Sequence, residues 1–120
     1  MALEDEEIED RIMNTIIVDA YEPEERALSW YYYAEDHLRF PFRARCIAER
    51  AVSPLDLDQE VEVIGMPSED ECLAEINVLI AYGKKKLAVP LSQLEIIDDH
   101  PRSKRVIDDW KYWLSMGYRF

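Results

Sequence analysis

Apolar residues recur at helical spacing in two stretches of the chain, with shorter alternating runs between them. The first stretch begins at Pro23, a residue pre-set for the first turn of a helix, and Glu24 and Glu25 complement the positive end of the helix dipole there. The pattern predicts a helix that ends near residue 38. Its predicted buried face consists of Ala27, Trp30, Tyr31, Ala34 and Leu38.

The second helical stretch covers residues 103–115. Its apolar stripe consists of Val106, Ile107, Trp110, Trp113 and Leu114. Gly117 follows where helices commonly end in a left-handed residue, so it is predicted to be the C-terminal cap.

Between these helices, short apolar runs predict β-strands. They cover residues 42–48, 60–66, 76–82, 86–89 and 95–97. The run at 60–66 alternates in its first half, as a strand with one wet face does, and Gly83 with Lys84 marks a hairpin turn. The sequence therefore predicts an α+β fold in which a small, bent antiparallel sheet, an SH3-like partial barrel, is flanked by an N-terminal and a C-terminal helix.

The N-terminal stretch has a different character. Residues 1–10 contain six acidic residues, no basic one and few apolar ones, which predicts a frayed or weakly helical segment. We therefore expect residues 1–15 to form an acidic arm that is partly disordered. Residues 16–120 are expected to form a single domain, because a chain of 120 residues supports one core.

The net charge of the chain limits the kinds of partner that it can bind. The chain has 26 acidic and 14 basic residues, a formal net charge of −12, which repels nucleic acids and anionic membranes and attracts cations. Neither nucleic acid nor a membrane is expected as a partner. No apolar run approaches the roughly 18 residues of a membrane span, and the N-terminal stretch is acidic where a signal peptide is basic, so a cytoplasmic location is expected. Cys46 and Cys72 fit reduced thiols.

An EF-hand loop is the first calcium motif to test. Asp56, Asp58 and Glu60 occupy its first, third and fifth positions. However, Val61 stands where glycine is required, and Pro67 stands where the bidentate glutamate belongs. The stretch is therefore predicted to be a solvated turn that leads into a strand.

Two carboxylate doublets lie beside aromatic residues. They are Glu35–Asp36, late in the first predicted helix, and Asp108–Asp109, directly before Trp110. Acidic groups late in a helix are unfavourable because that end of the helix dipole is negative, and a bound cation would offset the cost. The doublets are thus candidate cation ligands. The alternative is that they are solvated, or paired with Arg39, Arg43 or Lys111.

The sequence contains none of the common catalytic motifs that we considered. The histidines and cysteines match no zinc spacing, and the sequence holds no glycine-rich phosphate loop and no hydrolytic triad order. The chain is therefore not expected to be an enzyme, and a small carboxylate hydrolase is the third of three functional hypotheses.

Six stretches of the chain carry a further signal. They are Ile17-Val18-Asp19-Ala20-Tyr21 with Pro23-Glu24-Glu25, Trp30-Tyr31-Tyr32-Tyr33 with Glu35-Asp36, Phe40-Pro41-Phe42 with Ala44, Val61-Glu62-Val63-Ile64-Gly65-Met66, Val89-Pro90-Leu91-Ser92-Gln93-Leu94, and Asp109-Trp110 with Tyr112-Trp113, Gly117-Tyr118 and Phe120. Together they resemble the CcbP-type family of small acidic calcium-binding proteins from cyanobacterial heterocysts. The resemblance covers residues 16–120 and leaves out the acidic arm.

The resemblance implies Ca²⁺ binding without EF-hands and, in cyanobacteria, a role in keeping free calcium low until heterocysts differentiate. Asp36 matches the acidic position that ends the aromatic run of the family, and it is the first candidate ligand. Glu35, Asp19 and Asp109 lie in matching motifs and complete the candidate set. The leading hypothesis is a protein that buffers or senses cytoplasmic calcium through surface carboxylates and backbone carbonyls. An acidic SH3-like interaction module without metal is the second.

Overall fold

The helices lie before and after the strands in the chain. In the computed structural model, which describes residues 5–51 and 53–118, the helices are α1 (Glu6–Arg11), α2 (Pro23–His37) and α3 (Pro101–Ser115), and α1 continues into a π-helical turn (Ile12–Ile16). The strands are β1 (Phe42–Cys46), β2 (Glu60–Gly65), β3 (Asn77–Tyr82), β4 (Lys85–Pro90) and β5 (Leu94–Ile96). Two short 3₁₀ turns cover Glu69–Cys72 and Leu91–Gln93.

The strands form one antiparallel sheet in the order β4-β3-β2-β1-β5. In β1 the buried side chains of Phe42, Ala44 and Cys46 alternate with the exposed Arg43 and Arg45, as expected for a strand with one solvated face. The sheet is open, since β4 and β5 form its two edges. The predicted α+β fold with flanking helices is confirmed, while the likeness to an SH3 barrel stays a prediction.

Two glycines take the left-handed conformation that their predicted positions require. Gly83 has φ +60° in the turn between β3 and β4, and Gly117 has φ +82° directly after α3. Glycine adopts such angles without the steric cost that a β-carbon brings. The predicted hairpin and the predicted helix cap are both confirmed.

A tryptophan cluster joins α2 to α3. Trp30 packs edge-on against Trp110, with ring centroids 5.1 Å apart, and its ring lies 5.8 Å from that of Trp113. None of the three is more than 3% exposed. Burying roughly 200 Å² of aromatic surface at about 25 cal/mol per Å² contributes about 5 kcal/mol per ring before entropy is counted. The cluster therefore fixes α2 firmly against α3.

Helix α1 and the π-helical turn form the described part of the predicted acidic arm. Asp5 caps the helix through its side chain, and Ile12 and Ile16 lie in the core at 0% and 5% exposure. Arg11 forms an ion pair with Asp109 of α3. The described part of the arm is thus folded onto the domain. Its isoleucines pack in the core, and Arg11 pairs with a residue of α3. Residues 1–4 of the predicted arm lie outside the described residues.

Both thiols are placed as the sequence predicts. Cys46 and Cys72 are buried and free. Within the described residues, no helix is long and apolar enough to span a membrane.

Candidate metal centre

The carboxylates of Glu35 and Asp36 project from the last turn of α2 in different directions. Both side chains are exposed. Neighbouring residues in an α-helix are separated by about 100° around its axis, so one side chain faces a different part of the molecule from the other. The two environments differ sharply in charge.

Glu35 lies on the side of α2 that meets the 3₁₀ turn Glu69–Cys72. Tyr31, one turn before Glu35, donates a hydrogen bond from its hydroxyl to the carbonyl of Pro67 at 2.6 Å. The hydroxyl of Tyr32 donates to the carboxylate of Glu69. These two tyrosines tie the 3₁₀ turn to the helix and bring its acidic residues toward Glu35.

The acidic residues of the 3₁₀ turn are held by a capping box. The Ser68 amide donates to the Glu71 carboxylate at 3.2 Å, and the Ser68 side chain accepts from the backbone of Glu71. Successive acidic side chains at Glu69, Asp70 and Glu71 are all exposed. We define the Glu35 cluster as Glu35, Glu69, Asp70 and Glu71.

The negative charges of the Glu35 cluster raise the pKa of both neighbouring tyrosines, Tyr31 and Tyr32. Burial raises the pKa of Tyr31, and the negative charges of Glu35, Glu69 and Glu71 raise it further. The hydrogen bond to Glu69 raises the pKa of Tyr32, to which the charge of Glu35 also contributes. A potential that disfavours a phenolate favours a cation.

The Glu35 cluster supplies the ligands that calcium prefers. Calcium takes about 6 to 8 oxygen ligands from carboxylates, carbonyls and water, whereas zinc favours thiolate and imidazole. Among the described residues, no three acidic, histidine or cysteine side chains are gathered closely enough to hold a metal ion. Because carboxylates repel one another without a cation, exposed side chains must swing inward to bind it.

Asp36 faces cationic side chains. It lines a cavity of about 420 Å³ between the end of α2 and the start of α3, together with Arg39, His100 and Arg102. The Arg102 guanidinium donates to the backbone carbonyl of Asp36 at 3.4 Å. The surroundings of Asp36 are therefore less favourable for calcium than those of Glu35.

Asp19 lies in the loop between the π-helical turn and α2. It has φ +60°, a conformation that aspartate tolerates better than most residues, and its exposed carboxylate accepts a hydrogen bond from the Tyr21 hydroxyl at 3.5 Å. The described residues do not gather it with other acidic groups into a cluster that could hold a metal.

Asp109 is buried, whereas the sequence predicts a calcium ligand at the surface there. Its side chain is fully buried, and Arg11 donates to its two oxygens from Nε at 2.7 Å and from Nη2 at 2.6 Å. The Tyr33 hydroxyl donates to the same carboxylate at 2.9 Å. This carboxylate is desolvated and neutralised inside the protein, so it is excluded from the ligand set proposed below.

The acidic residues of the 3₁₀ turn are not among the ligands predicted from the sequence. Ser68 followed by Glu71 three positions later is the pattern of a capping box, and that signal could have indicated a helical turn with Glu69 and Asp70 in its first positions. By contrast, the failed EF-hand stretch is confirmed as an exposed turn before β2, with Asp58 at φ +66°.

Comparison with known proteins gives a consistent answer. A family model described as calcium binding, that of the CcbP family, matches residues 10–114. The crystal structure of Anabaena CcbP is 41% identical, covers 99% of this chain and 98% of its own, and superposes with a TM-score of 0.88. A calcium-binding protein in the calcium-binding form is 41% identical, covers 100% of both chains and gives a TM-score of 0.86. The comparison with curated proteins gave no significant match.

These findings define the class as small acidic calcium-binding proteins with an open antiparallel sheet. The chain belongs to the CcbP calcium-binding family. The solved structures match almost the whole chain, so the likeness extends into the acidic arm, which the sequence resemblance left out.

Proposed function

We propose that this protein buffers free cytoplasmic calcium, and that the Glu35 cluster is its principal binding site. The observation that carries the proposal is the approach of carboxylates from α2 and from the 3₁₀ turn around the hydroxyls of Tyr31 and Tyr32. Among the described residues, no ion pair engages the four carboxylates of this cluster. The hydrogen bonds that Glu69 and Glu71 accept leave further carboxylate lone pairs that can bind a cation.

The anchoring of the site favours buffering over sensing. The tryptophan cluster holds α2, and the hydrogen bond from Tyr31 to Pro67 holds the 3₁₀ turn against it. Calcium binding then requires movement of exposed side chains only, whereas sensor proteins open an interface between elements when calcium binds. A role in heterocyst differentiation, which the sequence resemblance implies, would follow from such buffering.

Asp36 keeps a secondary place in the proposal. Its carboxylate adds negative charge close to the Glu35 cluster, but it lies on the side of α2 that faces Arg39 and Arg102. We therefore assign Asp36 a long-range contribution to calcium affinity and Glu35 a direct ligand role. Asp19 and Asp109 have no part in this site.

Calorimetric titration of the purified protein with calcium tests the site. Glu35→Gln keeps the size of the side chain and removes its charge, so the affinity should fall by about tenfold or more, which corresponds to 1.4 kcal/mol. Glu69→Gln should act in the same way, and Asp36→Asn should have a smaller effect. Asp56→Asn, in the exposed turn before β2, is the matched control and should change the affinity little.

The outcomes separate the hypotheses. If Asp36→Asn weakens binding more than Glu35→Gln, the ion lies on the other side of α2. If the control matters as much as Glu35→Gln, the binding is diffuse. If the unmodified protein gives no heat of calcium binding, the result would instead support the hypothesis of an acidic interaction module without metal.

A further inference from the structure

The cavity between the end of α2 and the start of α3 is lined by several basic side chains. We name it the α2–α3 cavity. It has a volume of about 420 Å³, and its lining includes Asp36, His37, Arg39, His100 and Arg102. Two arginines and two histidines thus surround one opening in a protein with only 14 lysines and arginines and two histidines in all.

Hydrogen bonds fix the walls of the α2–α3 cavity from both helices. The Arg39 amide donates to the hydroxyl of Ser103, a residue that is fully buried, at 2.9 Å. The Arg102 guanidinium donates to the Asp36 carbonyl at 3.4 Å. The cavity is therefore formed before any ligand arrives, which lowers the ordering cost of binding.

The histidine from α2 is also held in place. His37 Nδ1 lies 3.0 Å from the Tyr33 carbonyl, and its ring packs on the Tyr33 ring at 4.5 Å. Since no other hydrogen bond of this ring is found among the described residues, Nε2 remains free to bind a ligand. The Arg39 side chain likewise has no ion pair within the described part of the chain.

The chemistry of these side chains selects an anion. Planar guanidinium groups match phosphate oxygens with paired hydrogen bonds, and an imidazolium ring, with both nitrogens protonated, can donate its second N–H to the same oxygens. Leu38 and Pro101 are the apolar side chains in the lining, so a large apolar ligand would find few contacts. We propose that the α2–α3 cavity binds a phosphate-type oxyanion, either free phosphate or the phosphate group of a small polar metabolite.

This site is independent of the calcium proposal. The Glu35 cluster lies on the side of α2 that meets the 3₁₀ turn, whereas the α2–α3 cavity lies beside α3. Asp36 is the acidic residue in the lining, and its negative charge opposes anion binding. Its removal should consequently strengthen oxyanion binding, while the removal of either arginine should weaken it.

Titration calorimetry on the full-length, calcium-free protein in the presence of a chelator tests the site. Inorganic phosphate and glycerol phosphate are the two probes, and binding of the second alone identifies a phosphate ester as the ligand. Arg39→Gln and Arg102→Gln should each weaken binding by about tenfold. Asp36→Asn should tighten it. Arg43→Gln, an exposed arginine on β1 whose partner is Glu60, is the matched control and should leave binding unchanged.

Three results would overturn the proposal. They are the absence of binding for both probes at millimolar concentration, an equal loss in Arg43→Gln, and an unchanged or weakened affinity in Asp36→Asn. Circular dichroism of each variant verifies that the fold is intact. Because Asp36→Asn is expected to gain affinity, its result does not depend on damage to the protein.

Discussion

Asp109 shows how one buried carboxylate can join three helices. It belongs to α3, accepts two hydrogen bonds from Arg11 of α1 and accepts a third from Tyr33 of α2. Burial, followed by the hydrogen bond to Asp109, raises the pKa of Tyr33, and the hydrogen bond to Asp109 raises the pKa of Arg11, so both donors keep their protons. The three hydrogen bonds offset the desolvation of the carboxylate.

Removal of this charge should be costly. Asp109→Asn leaves the Arg11 guanidinium, 22% exposed, without its anion, and the breaking of a buried pair typically costs about 3 kcal/mol. Urea denaturation should therefore show a loss of about that size. Asp108→Asn is the control, because Asp108 is exposed and its pair with Lys104 is worth at most about 1 kcal/mol.

Calcium titration of the same variants separates structure from ligation. We expect the calcium affinity of folded Asp109→Asn to match that of the unmodified protein. A large loss of affinity with little loss of stability would restore Asp109 to the ligand set.

Glu35 and Asp36 show how far sequence can locate a site. The doublet at the end of a helix directs attention to the region in which we propose the calcium site, since the cost of acidic groups at that end follows from the dipole alone. What the sequence could not supply was the surroundings of each residue. Glu69 and Arg102 are separated from the doublet by more than thirty positions, and only the tertiary fold places one beside each face of α2.

At the scale of elements, periodicity predicted α2, α3 and the strands because each buries one face continuously. The predicted helix from residue 23 ends at His37, and each predicted strand overlaps a strand in the structure. Helix α1 was predicted only as a frayed or weakly helical segment, because acidic residues dominate its sequence. Ile8, Ile12 and Ile16, spaced by four, were the signal that could have revealed it.

Truncation tests the contribution of α1. Deletion of residues 1–10 removes the Asp5 cap and the hydrogen bond from the Tyr112 hydroxyl to Glu9 at 3.1 Å, but it keeps Arg11. Thermal and urea unfolding should show a loss of about 1 to 2 kcal/mol, with calcium affinity unchanged.

Deletion of residues 1–16 should be far more damaging. It also removes Ile12 and Ile16 from the core, and each buried isoleucine contributes about 2 to 5 kcal/mol. That loss approaches the whole stability of a typical domain, about 5 to 15 kcal/mol, so most of this variant should be unfolded. Equal stability of the two truncations would contradict the role assigned to α1.

For the whole molecule, the net charge of −12 governs the electrostatics. Ion pairs such as Arg43–Glu60 and Arg45–Glu95 neutralise part of the sheet surface, yet the acidic excess remains. Mutual repulsion destabilises the compact state and at the same time attracts cations. The same excess of negative charge is therefore expected to favour calcium binding and to lower the stability of the calcium-free protein.

Salt should therefore act in opposite directions on stability and on binding. An increase in NaCl from about 0.01 M to about 0.3 M shortens the Debye length from about 30 Å to about 6 Å. Calorimetric scans of the calcium-free protein should show a Tm increase of about 3 °C or more, while calcium affinity falls.

A variant with less negative charge is the control. Glu49→Gln combined with Asp99→Asn removes two negative charges outside the Glu35 cluster, so its Tm at low salt should be higher and its response to NaCl smaller. A Tm that is independent of NaCl in both proteins would rule out charge repulsion as a major influence on stability.

The bond between Arg11 and Asp109 spans 98 positions of the chain. During synthesis α1 leaves the ribosome before the strands, and its partner in α3 emerges only after the whole sheet. Native docking of α1 is therefore a late folding step, since the loop it closes contains nearly every other element. Glu6, Glu7 and Glu9 lie in the first turn of α1, and charged side chains of this kind keep an undocked helix hydrated until α3 is complete.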